Sequence, residues 1–257
     1  MAAFSGWQAF TVADLGCGWG ISSDGYAEAG FTVHGFDIDP EAGKGYPYEF
    51  FHADVKTLDA DFLSQYDLIH LGGPCQPWSK MVSCRPGLRE QYEDLIVPMR
   101  PVLQASGRPY VIENVENAPL VDPVWLCGTM FRKELYRHRG FEAGNGLVIP
   151  PRMHPEHVIP ASKAGHWRPG TIMSIAGHVA PIAMARDLMG VTRRVPREYL
   201  VEAAPAYMTA YVAAHAMAHL SREAALWATP WPTARRCWPP SSRTAARWPR
   251  WTTRSGT

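Results

Sequence analysis

Apolar residues along the first 115 positions fall in short runs separated by stretches with helix-like spacing. The runs Thr11–Leu15, Thr32–Asp37, Leu68–Leu71 and Tyr110–Glu113 predict strands, and helices fit between them near Ile21–Ala29 and Glu90–Ser106. Such alternation predicts an α/β fold built on a mostly parallel sheet. The strands carry too few polar residues for a half-exposed sheet, so helices are expected on both faces. After Asn114, Pro119, Pro123, Gly128 and Gly140 break the pattern into β-like pieces around Val124–Met130 and Glu134–Glu142. Residues 143–190 are rich in Gly, Pro and His and predict a small irregular or β-containing region. From Pro196 to His219 the pattern is helical again, interrupted at Pro205. The expected organisation is a main unit over residues 1–142, a small region over 143–190, returning helices over 191–221 and a tail over 222–257.

Length and composition narrow the classes. A chain of 257 residues supports one sizeable core, and no apolar run approaches the ~20 residues needed to cross a bilayer. The opening MAAFSGWQAF lacks the features of a secretory signal, so a cytoplasmic location is expected. Cys17, Cys75, Cys84, Cys127 and Cys237 form no CxxC pair, which points to reduced thiols. Net charge is only +1, and the tail holds seven Arg against one Glu, leaving residues 1–221 acidic. Any contact with nucleic acid must therefore be local. The tail also holds half of the ten Trp. It reads as a disordered extension, with a nucleic-acid-touching basic segment as the other reading.

The first strand runs into a glycine turn, D-L-G-C-G-W-G, in which Asp14, Gly16, Gly18 and Gly20 bring backbone close to the carboxyl edge of the sheet, where ligands of open α/β sheets bind. At the end of the second strand Asp37, followed by Ile38, suits a ribose, and Asp54 suits an amino group or ring nitrogen. These residues imply an adenosine-bearing cofactor without selecting NAD or S-adenosylmethionine. The segment DLIHLGGPCQPWSK then lifts Cys75 to the sheet edge, and the strand PYVIENV ends in Glu113-Asn114. If the two strands are neighbours, a thiol and a carboxylic acid face one crevice.

GGPCQPWS, IENV and RHR (Arg137, His138, Arg139), in this order after a glycine-rich turn, resemble the DNA cytosine-5 methyltransferase family, above all its short phage and prophage members. The likeness covers residues 10–142 well and 171–217 loosely. It implies a Rossmann-like S-adenosylmethionine-dependent methyltransferase fold, with 1–142 as catalytic domain and 143–190 as target-recognition region. It also implies double-stranded DNA as partner and a monomer without an obligate protein partner, in a host cytoplasm if phage-encoded. By the resemblance Cys75 attacks C6 of a flipped-out cytosine, Glu113 holds N3, Asn114 braces the loop, and Arg137 and Arg139 contact O2 and nearby phosphate. Pro74 joins the cofactor site, and Gln76, Ser79, Lys80 and Arg85 are the candidates for facing the substrate; the stretch with Lys80 and Arg85 reads as a mobile basic loop able to close over the flipped base, with an ordinary solvated loop as the equal alternative. The family usually has an aromatic residue where Gly16 stands, and Trp19 is the candidate substitute.

Other readings differ in chemistry. Methyltransferases acting on exocyclic amines have no thiol in this slot, whereas a tRNA cytosine-5 methyltransferase would share the catalytic residues. A catalytically silent binder would have no need of Cys75. His154, His157, His166 and His178 match no standard metal spacing, so no metal site is expected.

Overall fold

The computed structural model describes residues 9–79, 92–162, 166–175 and 179–228. Its elements are β1 (Thr11–Leu15), α1 (Ile21–Glu28), β2 (Thr32–Asp37), β3 (Glu49–His52), α2 (Ala60–Leu63), β4 (Leu68–Gly72), α3 (Ile96–Ala105), β5 (Tyr110–Asn114), β6 (Val124–Cys127), β7 (His138–Gly144), α4 (Ile182–Leu188), α5 (Arg197–Glu202) and α6 (Ala206–Ala228). Seven strands form one sheet in the order β3-β2-β1-β4-β5-β7-β6. β1 to β5 are parallel, and β7 runs antiparallel to both β5 and β6. The strand order reverses between β1 and β4, the place where an open sheet leaves a crevice above its carboxyl ends.

Side-chain alternation along the strands builds three layers. Val12, Leu68 and Val111 pack beneath Tyr26 of α1 and Met208, Val212 and Ala216 of α6. Their neighbours Ala13, Ile69 and Ile112 face the opposite way, toward Leu63 of α2 and Ile96, Met99 and Leu103 of α3. A further apolar cluster joins Leu135, Met173, Ile175, Leu188, Met189 and Leu200 to Ile21 of α1, so the region after β7 packs against the same body. Glu142 of β7 takes a bidentate ion pair from Arg100 of α3, both distances 2.8 Å, which pins β7 to the α3 layer.

The predicted strands before Asn114 all form, with β4 and β5 each one residue longer. β3, α2 and α4 were not foreseen. α3 begins later than expected, at Ile96, where the Asp94 carboxylate accepts the Ile96 N–H. The β-like piece at Glu134–Glu142 forms from His138 onward, and α6 runs on through Ala228 into the segment read as a tail. Among the described residues no helix is long and apolar enough to cross a membrane.

Candidate active site

A cleft of about 280 Å³ opens at the carboxyl ends of β1, β2, β4 and β5. Gly72 of β4 lies in register with Glu113 of β5, so the chain leaving β4 through Gly73 and Pro74 carries Cys75 past the end of the neighbouring strand. Pro74, Cys75, Gln76 and Glu113 all line the cleft. Asn114, one residue beyond Glu113, points to the other face and donates from Nδ2 to the carbonyls of Gly73 (3.2 Å) and Pro74 (3.4 Å). Those bonds brace the loop that presents the thiol. Glu113 is buried and pairs with Arg139, Nε to Oε1 2.8 Å. Burial pushes the Glu113 carboxyl above its usual range, against the opposing charges of Arg139 and Arg137. Burial likewise pushes the Cys75 thiol up; the two arginines oppose it and the acids Glu113 and Glu202 add to it. Both groups are thus drawn toward their protonated forms in the free protein.

The other end of the cleft is built from the glycine turn. Gly16 and Gly18 line it, with Asp37, Ile38 and Asp54 opposite. Gly16 has φ +75°, and a Cβ there would stand 2.4 Å from the Gly72 carbonyl oxygen, so only glycine lets the β1 turn pass under the end of β4. The Asp37 carboxylate accepts the backbone N–H of Gly18 (2.8 Å) and of Asp39 (2.9 Å), which ties the turn to β2. The charge of the wall is one-sided: Asp37, Asp39, Asp54, Glu93, Glu113 and Glu202 line it, with no Lys or Arg among the described lining residues. Such a wall suits a ligand bearing sulfonium and ammonium charges and opposes the pyrophosphate of a dinucleotide. The residues present therefore fit S-adenosylmethionine and disfavour NAD.

Several expected site residues stand elsewhere. Asp14 is 1% exposed and does not line the cleft. Strand alternation turns it toward α1, where the Ser23 hydroxyl donates to it and lies 2.9 Å from the Tyr46 hydroxyl. Gly20 caps the start of α1 and faces Tyr46 and Pro47 instead of the cleft. Arg137 and Arg139 are buried and do not line the cleft. Arg137 donates to the carbonyls of Ile175 (2.9 Å), Val201 (2.8 Å) and Ala203, gripping the carboxyl end of α5, where a cation meets the unpaired carbonyls of a helix. Arg139 adds a bond to the Glu202 carbonyl at 3.0 Å. Ser79 follows a 3-10 turn over Gln76–Trp78 and is not on the wall. Lys80 and Arg85 lie outside the described residues.

Among the wall residues that the sequence did not mark are Asp39, Glu93, Tyr199 and Glu202. The Tyr199 hydroxyl donates to Asp39 (2.5 Å), its ring lies 5.6 Å from that of Trp19, and Gln76 donates to the Glu202 carboxylate. Trp19, the candidate substitute for the aromatic residue missing at Gly16, lines the cleft. Nothing in the local pattern of Arg197–Glu202 marks it as a wall; only the fold brings α5 over the sheet edge.

Solved structures of other proteins share this fold. A prophage-encoded E. coli protein named as a DNA modification methyltransferase aligns with TM-score 0.60 and 14% identity over 83% of this chain and 100% of its own. The S. pombe Dnmt2 methyltransferase gives TM-score 0.54 and 14% identity over 82% of this chain and 99% of its own. The Entamoeba histolytica methyltransferase EhMeth gives 0.53 and 11% over 83% and 99%. At these identities the likeness shows the fold alone, a Rossmann-like, mostly parallel α/β sheet. No curated protein sequence is similar enough to the chain to count as a match. In agreement with the resemblance carried by GGPCQPWS and IENV, residues 10–121 match the model of the C-5 cytosine-specific DNA methylase family.

Proposed function

We propose that this chain methylates carbon 5 of cytosine in double-stranded DNA, using S-adenosylmethionine and a covalent bond between Cys75 and C6 of the base. The observation that carries this reading is the register of Gly72 with Glu113, which sets a thiol and a carboxyl group on the wall of one acidic cleft. Gly16, Gly18, Asp37 and Asp54 would hold the cofactor. When bound, it supplies an electrophilic methyl group. A cytosine inside a duplex exposes neither C6 nor N3 to these side chains, so the base must be flipped out, at a cost of a few kcal/mol. The Cys75 thiol gives up its proton to solvent, and its sulfur bonds to C6 and opens the C5–C6 double bond, which makes C5 nucleophilic. Glu113, its carboxyl held up by burial, keeps a proton at N3 and draws charge from the ring as the C–S bond forms. Arg139 fixes the Glu113 carboxylate, and Asn114 fixes the backbone that carries the sulfur. Once C5 is methylated, loss of its proton expels Cys75 as thiolate and restores the enzyme.

DNA containing 5-fluorocytosine tests this, because fluorine cannot leave C5 as a proton does. The expected result, with S-adenosylmethionine present, is a denaturation-resistant protein–DNA adduct that vanishes in Cys75→Ser. An adduct that persists in the variant reassigns the nucleophile. Trapping on fluorinated tRNA but not on duplex DNA moves the substrate to RNA.

A further inference from the structure

Away from the cleft, four metal-binding side chains meet: Cys127 at the end of β6, His138 at the start of β7, and His154 and His157 on the irregular segment beyond. None of them lines the cleft. Their ligand atoms all lie within 4.8 Å of one another. The Cys127 sulfur is 3.5 Å from His157 Nε2, and His138 Nε2 is 3.0 Å from His154 Nε2. With ordinary zinc–nitrogen and zinc–sulfur bonds, a tetrahedron has edges of roughly 3.3–3.6 Å, close to these separations. We propose that Cys127, His138, His154 and His157 bind one zinc ion in a closed, four-ligand structural site.

The fold supplies the ligands in pairs. Cys127 and His138 are register partners across the β6–β7 hairpin, so they share one end of it. His154 and His157 come from residues 151–158, which have no regular secondary structure. That segment leaves Met153 and Val158 almost fully exposed, so apolar burial does little to hold it. Polar and ring contacts hold it instead: Tyr136 stacks on the His157 ring at 3.7 Å and donates to the Ile159 carbonyl at 2.7 Å, and Arg152 donates to the Met130 carbonyl and lies over the Phe131 and Tyr211 rings. An ion shared by four chain positions would add a tighter constraint to these. Thiolate and imidazole donors favour zinc over magnesium or calcium, and four protein ligands leave no open position for catalysis. The Cys127 sulfur accepts from the Thr129 hydroxyl at 3.3 Å, a contact that supports the thiolate. On binding, the thiol gives its proton to solvent and the sulfur keeps the electron pair that it donates to the metal. Spacing in the sequence concealed the site, because His154 and His157 find their partners only once the hairpin has formed. His166 is not among the four, and His178 lies outside the described residues.

The site would fix His138, which sits between Arg137 and Arg139. It would thereby hold in place the start of β7 and the two arginines beside His138, of which Arg137 grips α5 and Arg139 pairs with Glu113. The test reads the metal and does not depend on methylation. The reduced full-length chain is titrated with cobalt(II) and zinc(II). The expected result is one equivalent of metal, with a thiolate-to-cobalt charge-transfer band and the strong visible bands of tetrahedral cobalt, bleached by zinc. Cys127→Ser should abolish the charge-transfer band. Because Cys127 is buried and its variant can misfold, the exposed His138 and His154 are tested too. His138→Ala and His154→Ala should each weaken zinc binding at least tenfold, since loss of even a ligand's supporting partner costs about 10–100-fold. A folded wild-type chain that binds no stoichiometric zinc overturns the proposal. So does a charge-transfer band that survives in Cys127→Ser, or zinc affinity unchanged in both histidine variants.

Discussion

Asp14 shows how burial sets the protonation of a single carboxyl group. Burial, partly offset by the Ser23 hydrogen bond and reinforced by Asp37, Glu113 and Asp24, pushes its pKa up to about 7. In the unfolded chain the same group titrates near 3.9. Between those values the folded state holds the extra proton, so Asp14 favours folding fully below about pH 4, and that contribution is lost as pH rises through about 7. A shift of about three units is worth on the order of 4 kcal/mol at a fully buried site. In Asp14→Asn this titration is absent. Wild-type stability minus variant stability, measured by urea unfolding of the cofactor-free protein, should therefore fall by several kcal/mol between pH 4 and pH 8. A difference that stays flat over that range would mean the carboxyl group is solvated. The sequence marked Asp14 as a ligand because it precedes the glycine turn. Which way a strand residue points depends on the layer each face meets, and that was not written locally. Cys75 and Glu113 were legible because their chemistry demands particular residue types at two strand ends, whichever partners surround them.

At the level of elements, α1 and α6 are pressed together at one glycine. A Cβ on Gly25 would stand 2.2 Å from the Thr209 side-chain oxygen and 2.3–2.4 Å from backbone atoms of Ala206 and Ala210. Backbone cannot swing aside as a flexible side chain can, so Gly25→Ala must push the helices apart. That separation would loosen Met208, Val212 and Ala216, which are all 0% exposed. Gly25→Ala is expected to destabilise the protein by about 2 kcal/mol or more, despite alanine's better helix propensity. The midpoint of urea unfolding measures it; an unchanged or higher midpoint would show that the two helices do not touch at Gly25. The parallel core was readable from apolar runs because buried strands need uninterrupted hydrophobic residues. β3 was not, being only Glu49–His52 with no fully buried residue at the sheet edge, and α4 was hidden in a stretch rich in glycine and proline. The helix α5 was readable as a helix, but its place over the cleft was not. That place comes from Arg137, whose guanidinium reaches across to carbonyls more than sixty residues further along the chain.

For the whole molecule, this reach means that the cleft has two walls from distant parts of the sequence, β1–β5 on one side and α5 on the other. Ligand binding should therefore stabilise both halves together. S-adenosylhomocysteine at about 100 times its dissociation constant should add about 2.7 kcal/mol to stability. For a chain of this size that raises Tm by roughly 5–10 °C. Tyr199 sits on the α5 wall beside Trp19, with its hydroxyl on Asp39. If these rings sandwich the adenine, Tyr199→Ala removes a stacking contact worth about 1–3 kcal/mol, and the affinity falls by about ten- to a hundredfold. At the same ligand concentration the thermal shift should then shrink to between about one half and about one seventh of the wild-type value. Cys75→Ser changes the substrate end of the cleft and should keep the full shift. Comparing the two variants by differential scanning fluorimetry separates loss of the cofactor wall from loss of fold, since the ligand-free Tm of each is read in the same scan. A full shift in Tyr199→Ala would leave the cofactor held by the sheet edge alone and reduce α5 to a cover.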